Sequence, residues 1–124
     1  MNALTAAGWT VRVTGLVMIV LGLLIWADVG SGLASIHSLI GIVLVVALAT
    51  AAALALRAGA RPILPAIAIA WGLLTIAFGM TQATILAGDQ HFIVEVAHLL
   101  VGLVAIGLGE ALMAAGRRGA GIPA

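Results

Sequence analysis

The chain is 124 residues long, 65% hydrophobic and 7% charged, with a mean hydropathy of +1.35. A soluble domain carries about 25% charged residues, so a water-soluble enzyme or regulatory domain is excluded and an integral membrane protein is expected. The absence of cysteine removes disulfides, thiolate metal sites, iron–sulfur clusters and covalent haem attachment through CxxCH. The net charge of +1 rests on scattered arginines that form no stripe for nucleic acid.

Four apolar runs, 13–27, 33–56, 63–87 and 92–115, each approach the ~20 residues that cross a bilayer. They predict an all-α, four-transmembrane-helix bundle in one integral membrane domain over residues 1–124. The first run follows Arg12, contains Gly15 and Gly22 in GLVMIVLG, and is read as a retained span rather than a secretory signal. Trp9 and Trp26 fall near its opposite ends, where amphipathic rings settle at the membrane interface. A bend at Asp28–Gly32 leads to the second run, which opens with His37 in HSLIG. After Arg57–Pro62, the third run carries Trp71, read as a packing residue, and Gly72 and Gly79 in GLLTIAFG. Gly88–Gln90 forms the last bend, and the fourth run places His98 in HLLVG, followed by Ala105 and Gly109.

Arg12, Arg57, Arg61, Arg117 and Arg118 all fall on one side of this arrangement. By the positive-inside rule that side is cytoplasmic, giving a bacterial inner-membrane protein with both termini inside and Asp28 and Asp89 in the outer turns. Glu110, near the inner end of the fourth span, is expected to pair with Arg57, Arg117 or Arg118.

A shift of 57 residues superposes Gly15 and Gly22 on Gly72 and Gly79, and a shift of 61 superposes His37 on His98. The chain is therefore read as a tandem repeat of a helical hairpin, the second copy about one turn longer at its outer bend. In such a repeat the second and fourth spans run parallel. At ~1.5 Å per residue from the preceding bend, His37 is roughly 8 Å deep and His98 roughly 12 Å deep. Gly22 and Gly79 then come near the level of the histidine in their own hairpins, while Gly41 and Gly102 continue the histidine faces one turn inward.

Histidine inside a membrane span is costly unless something occupies it. The repeated pair suggests that His37 and His98 ligate one haem iron from opposite sides, with small residues leaving room for the flat macrocycle. The cofactor-binding set is His37, His98, Gly22, Gly41, Gly79 and Gly102, with His37 and His98 on the metal. No arginine is near the outer surface, so Ser35, Ser38, Gln82, Gln90 or His91 would solvate the propionates. Taken singly, a membrane histidine commonly bonds to a carbonyl one turn back, and regularly spaced glycines let helices pack without any cofactor.

His91, Glu95 and His98 share one helix face and could hold a single ion. A di-iron site needs a second Glu-x-x-His, and Ala34 stands at the corresponding position before His37. Glu95 is read first as a partner for His91 or part of a polar rim; exchange of a proton at a quinone site is its functional alternative. Met18 and Met80 are read as space-filling residues rather than axial ligands.

With HSLIG and HLLVG in place, the chain resembles the small four-helix membrane b-type cytochromes, including cytochrome b membrane anchors of respiratory enzymes. The resemblance covers nearly the full length and consists of helix count, orientation and the placement of His37 and His98. Transmembrane ferric reductases and cytochromes b usually carry two histidines on each ligating helix and hold two haems, whereas each span here has one. The resemblance thus implies one haem b near the outer leaflet and no complete electron path across the bilayer. The expected function is single-electron transfer between an outer-side donor and a quinone, another haem or a partner subunit, by an electron-transfer protein rather than a stand-alone enzyme. Self-association is a further expectation for so small a scaffold. A cofactor-free assembly or small-solute transport subunit, and a chlorophyll-binding protein, remain as alternatives.

Overall fold

The computed structural model describes residues 2–30 and 32–121, and within them every regular element is helical. Helix α1 spans Ala3–Trp26, starting well before the apolar run predicted from residue 13. The side chain of Asn2 caps it, its Oδ1 accepting from Thr5 N at 2.8 Å and from Thr5 Oγ1 at 2.8 Å. An asparagine cap satisfies one of the free N–H groups of the first turn. The threonines of that turn region then bond inward: Thr10 Oγ1 donates to Ala6 O at 3.0 Å and Thr14 Oγ1 to Thr10 O at 2.6 Å.

Asp28 at φ 54°, Gly30 at 84° and Gly32 at 94° bend the chain into α2, Leu33–Arg57. After Gly59 and Pro62, α3 runs over Ile63–Thr81 and ends in a 3-10 turn over Gln82–Thr84, earlier than the hydropathy limit of residue 87. Leu86 at φ 46° and Gly88 at 97° complete that bend. Helix α4 spans His91–Gly119 and continues past the apolar run, with Arg117 and Arg118 in its last turn. Cations there offset the partial negative charge of the free carbonyls.

All four helices are long and apolar enough to cross a membrane. Helix α2 touches α1, α3 and α4, and α4 also touches α1 and α3, whereas α1 and α3 do not meet among the described residues. The cross-section is a rhombus with α2 and α4 on its short diagonal. Two ends can be distinguished: the histidine end, with the α1–α2 and α3–α4 bends, and the arginine end, with the α2–α3 bend and the close of α4.

Burial is concentrated toward the arginine end. Ala7 and Val11 of α1, Leu44, Leu48, Ala51, Ala52 and Ala55 of α2, Ala68 of α3, and Ala105 and Leu112 of α4 form one cluster. Small residues dominate it because membrane helices gain by close van der Waals approach rather than by expulsion of water. The glycines show how close: a Cβ on Gly109 would fall 2.6 Å from Val11 Cγ1, and one on Gly15 would fall 2.7 Å from Ile106 Cδ1. Past Gly15, Leu44, Gly72 and Ala105 toward the histidine end, Val94 is the one buried apolar residue among the described residues. The histidine end is the less filled half of the bundle.

Candidate functional site

His37 is the fifth residue of α2 and His98 the eighth of α4, so both lie in the less filled half, on the two helices of the short diagonal. Their ring centroids are 6.0 Å apart and their planes are inclined at 48°. Both Nδ1 atoms are buried without a hydrogen-bond partner among the described residues. A serine one position on resolves its polarity locally, Ser38 Oγ donating to Ala34 O at 2.9 Å; the histidines do not. A buried polar atom left without a partner costs about 1–3 kcal/mol, and the two neighbouring histidines carry one each.

Each histidine lies against a glycine of the preceding helix. A Cβ on Gly22 of α1 would come 3.5 Å from His37 Cε1, and one on Gly79 of α3 would come 3.2 Å from His98 Cε1. The ring of Phe78 stands 5.8 Å from that of His98. One turn further along α2 and α4 the two sides differ. A Cβ on Gly41 would lie 3.1 Å from Met18 Cε, while one on Gly102 would meet nothing within 4 Å. Met18 packs on the core from α1 as a space-filling residue, and Met80 is 80% exposed.

The His91, Glu95, His98 face is not gathered around a common point. His91 Nδ1 is 3.1 Å from Ile85 O in the α3–α4 bend, and no group of three or more His, Asp or Glu side chains is placed to hold a metal ion among the described residues. The single-ion arrangement on that face is therefore not assembled, because two helical turns and the Ile85 carbonyl hold His91 away from His98. Glu95 is half-buried and makes no hydrogen bond or ion pair within the described residues.

Two polar contacts went unread in the sequence. Glu110 pairs with Arg12 rather than with an arginine at a helix end: Arg12 Nε donates to Glu110 Oε1 at 2.6 Å and an Arg12 terminal nitrogen to Oε2 at 2.7 Å. The guanidinium also sits 5.0 Å from the Trp9 ring. Hydropathy had assigned Arg12 to a flank before the first span. The usable signal was that Arg12 and Glu110 are the two charged residues furthest from a helix end, and charges inside spans pair with one another. Trp71, expected only to pack, donates from Nε1 to Val101 O at 2.9 Å and joins α3 to α4. Comparison with protein-family models, with curated proteins and with solved structures gives no match to this chain.

Proposed function

We propose that the protein is a membrane b-type cytochrome that holds one haem between His37 and His98 and passes single electrons near the histidine end. The observation that carries this is a pair of half-buried imidazoles with centroids 6.0 Å apart, each with its Nδ1 atom buried and without a partner among the described residues. An imidazole nitrogen binds a first-row metal at about 2.0–2.1 Å, and a five-membered ring has its nitrogen about 1.1 Å from its centre, so two rings gripping one ion have centroids roughly 6.3 Å apart. A neutral imidazole offers one donor and one acceptor nitrogen, and coordination through the acceptor supplies the partner that the protein withholds. The residues present therefore fit the group.

His37 and His98 would hold the haem in this proposal. Gly22 and Gly79 admit the ring edges, and Gly102 keeps the next turn of α4 free of side chains, while at Gly41 the Met18 methyl stands over the helix. The haem supplies one-electron chemistry when bound, and two histidine ligands leave the iron no open position for oxygen. Thr75 stands where a shift of 57 would place a second Met18, and its hydroxyl is turned back to Trp71 O at 2.8 Å, which leaves the Gly102 side the roomier of the two.

The tandem hairpin is part of the same proposal. The shifts of 57 and 61 that relate the glycines and histidines also relate contacts: Gly22 with His37 corresponds to Gly79 with His98, and Gly15 with Ile106 corresponds to Gly72 with Val45. Two hairpins related by a pseudo-two-fold axis along the membrane normal would place a shared ion on that axis, between α2 and α4. The arginine end is assigned to the cytoplasm by its positive charges, which puts the histidine pair toward the outside of a bacterial inner membrane. Electrons would pass to a quinone, another haem or a partner subunit, and a second copy of the chain is a further candidate partner.

The test is the haem content and visible spectrum of the full chain purified from cells supplied with haem. One haem per chain, with a Soret band and sharp reduced α and β bands, is expected. A colourless protein refutes the proposal and favours an assembly or transport subunit; absorption in the red region indicates chlorophyll.

A further inference from the structure

At the arginine end the close of α4 is pressed onto the α2–α3 bend. A Cβ on Gly119 would collide with Ala58 O and would fall 2.8 Å from Gly59 C, and one on Gly59 would lie 3.3 Å from Gly119 O. Gly59 has φ 92°, so glycine is needed there for the turn as well as for the approach. Ala60 N donates to Ala55 O at 3.0 Å and closes the turn. This backbone contact sets Arg61, just after the bend, beside Arg118, at the end of α4.

The two arginines line one cleft of about 370 Å³ with Leu64 and Ala115. That is roughly a dozen waters at ~30 Å³ each, space for a phosphate with its glycerol. Arg12–Glu110 is the one ion pair among the described residues, and both carboxylates other than Glu95 and Glu110 lie in the bends at the histidine end. Among the described residues, Arg61 and Arg118 make no ion pair with a carboxylate. Arg57, Arg117 and Arg118 sit in the last turns of α2 and α4 and offset the carbonyl ends of their own helices; of these, Arg118 alone lines the cleft. Arg61 precedes α3, at an end where N–H groups are free and anions are favoured.

We infer that this cleft binds the headgroup of an anionic phospholipid. The chemistry recognised is a phosphate monoanion or diester, held by two guanidinium forks. The membrane is its source, because the cleft lies at the end of four bilayer-length helices and is walled by Leu64, Ala60 and Ala115 where the acyl chains would begin. Basic pockets between spans at the cytoplasmic side serve this role in membrane proteins. The inference does not depend on the histidine pair.

The full chain would be placed in phosphatidylcholine nanodiscs with or without a tenth of phosphatidylglycerol or cardiolipin, and lipid retention read by native mass spectrometry alongside Tm. One or two anionic lipids retained per chain, with a raised Tm, are expected. Arg61→Gln with Arg118→Gln should weaken retention by roughly tenfold or more, as loss of two charge-assisted contacts implies. Arg57→Gln with Arg117→Gln should weaken it less than about threefold, as expected for screened surface charge. Arg61→Lys with Arg118→Lys, which keeps the charge and removes the forks, should fall between them. Equal loss in the two Gln pairs would overturn the site in favour of a diffuse surface effect. An equal Tm rise from inorganic phosphate in phosphatidylcholine alone would overturn the lipid as ligand.

Discussion

Gly22, Gly79 and Gly102 offer a graded test of the histidine gap, because alanine at each meets a different amount of space. In a helix interior Gly→Ala is worth about 0.5–1 kcal/mol of stabilisation. At Gly102 a Cβ meets nothing within 4 Å, so that gain is kept whole in protein prepared without haem. The Gly22 Cβ would meet His37 Cε1 at 3.5 Å, an ordinary contact, and Gly22→Ala should be neutral to mildly stabilising. The Gly79 Cβ would meet His98 Cε1 at 3.2 Å, against an optimum of about 3.5–4.0 Å, so the ring must retreat by roughly 0.3–0.5 Å. It retreats toward His37 and Phe78, whose ring centroids stand 6.0 and 5.8 Å from its own. Crowding of this kind costs about 1–3 kcal/mol, which outweighs the propensity gain. Thermal unfolding in detergent should therefore rank Gly102→Ala above Gly22→Ala and Gly79→Ala last. Haem loading should invert part of that order: Gly102→Leu, which fills the open space, should lower the haem-to-protein ratio while leaving the unloaded fold intact. If Gly22→Ala proves as damaging as Gly79→Ala without haem, the spacing argument is wrong.

Leu48 is fully buried in the cluster at the arginine end, so Leu48→Ala should destabilise the bundle by about 2–5 kcal/mol in equilibrium unfolding, with the haem spectrum unchanged in the fraction that folds. Arg12→Gln leaves Glu110 without its two hydrogen bonds; a lowered Tm is expected, and Arg12→Gln with Glu110→Gln should recover part of the loss, a recovery whose absence would show that the pair is not coupled. His91 bonds to Ile85 O and stands apart from the pair, so His91→Ala should leave the visible spectrum in place, and a lost band would move the site to the His91 face.

How much of this was legible follows from which forces act locally. The four spans could be read directly, since apolar length answers to bilayer thickness and Pro and Gly mark the bends. The start of α1 could not, because Asn2 supplies a cap and Arg12 finds a partner 98 residues away on the last helix, and a hydropathy window sees only an unfavourable charge. The end of α3 was set too late for the opposite reason: residues 82–87 are apolar enough to continue, yet Leu86 and Gly88 adopt left-handed backbone and turn the chain. At the site, the juxtaposition of His37 with His98 and of each with a glycine of its own hairpin could be reasoned from depth along parallel spans. The Met18 contact at Gly41, with Gly102 left open, could not, since the Gly-x-x-x-x-x-x-Gly pattern is the same in both hairpins and the difference turns on Met18 standing where the second copy has Thr75. Trp71 was unread because a hydrogen bond to a carbonyl of another helix leaves no periodic trace.

The most direct measurement is the low-temperature electron paramagnetic resonance and visible spectrum of the haem-supplied full chain with His37→Ala and, separately, His98→Ala. A shared clamp requires that each substitution alone abolish the low-spin signal seen in the unsubstituted protein, since each removes one of only two axial ligands. Persistence of that signal in either variant would contradict the central claim.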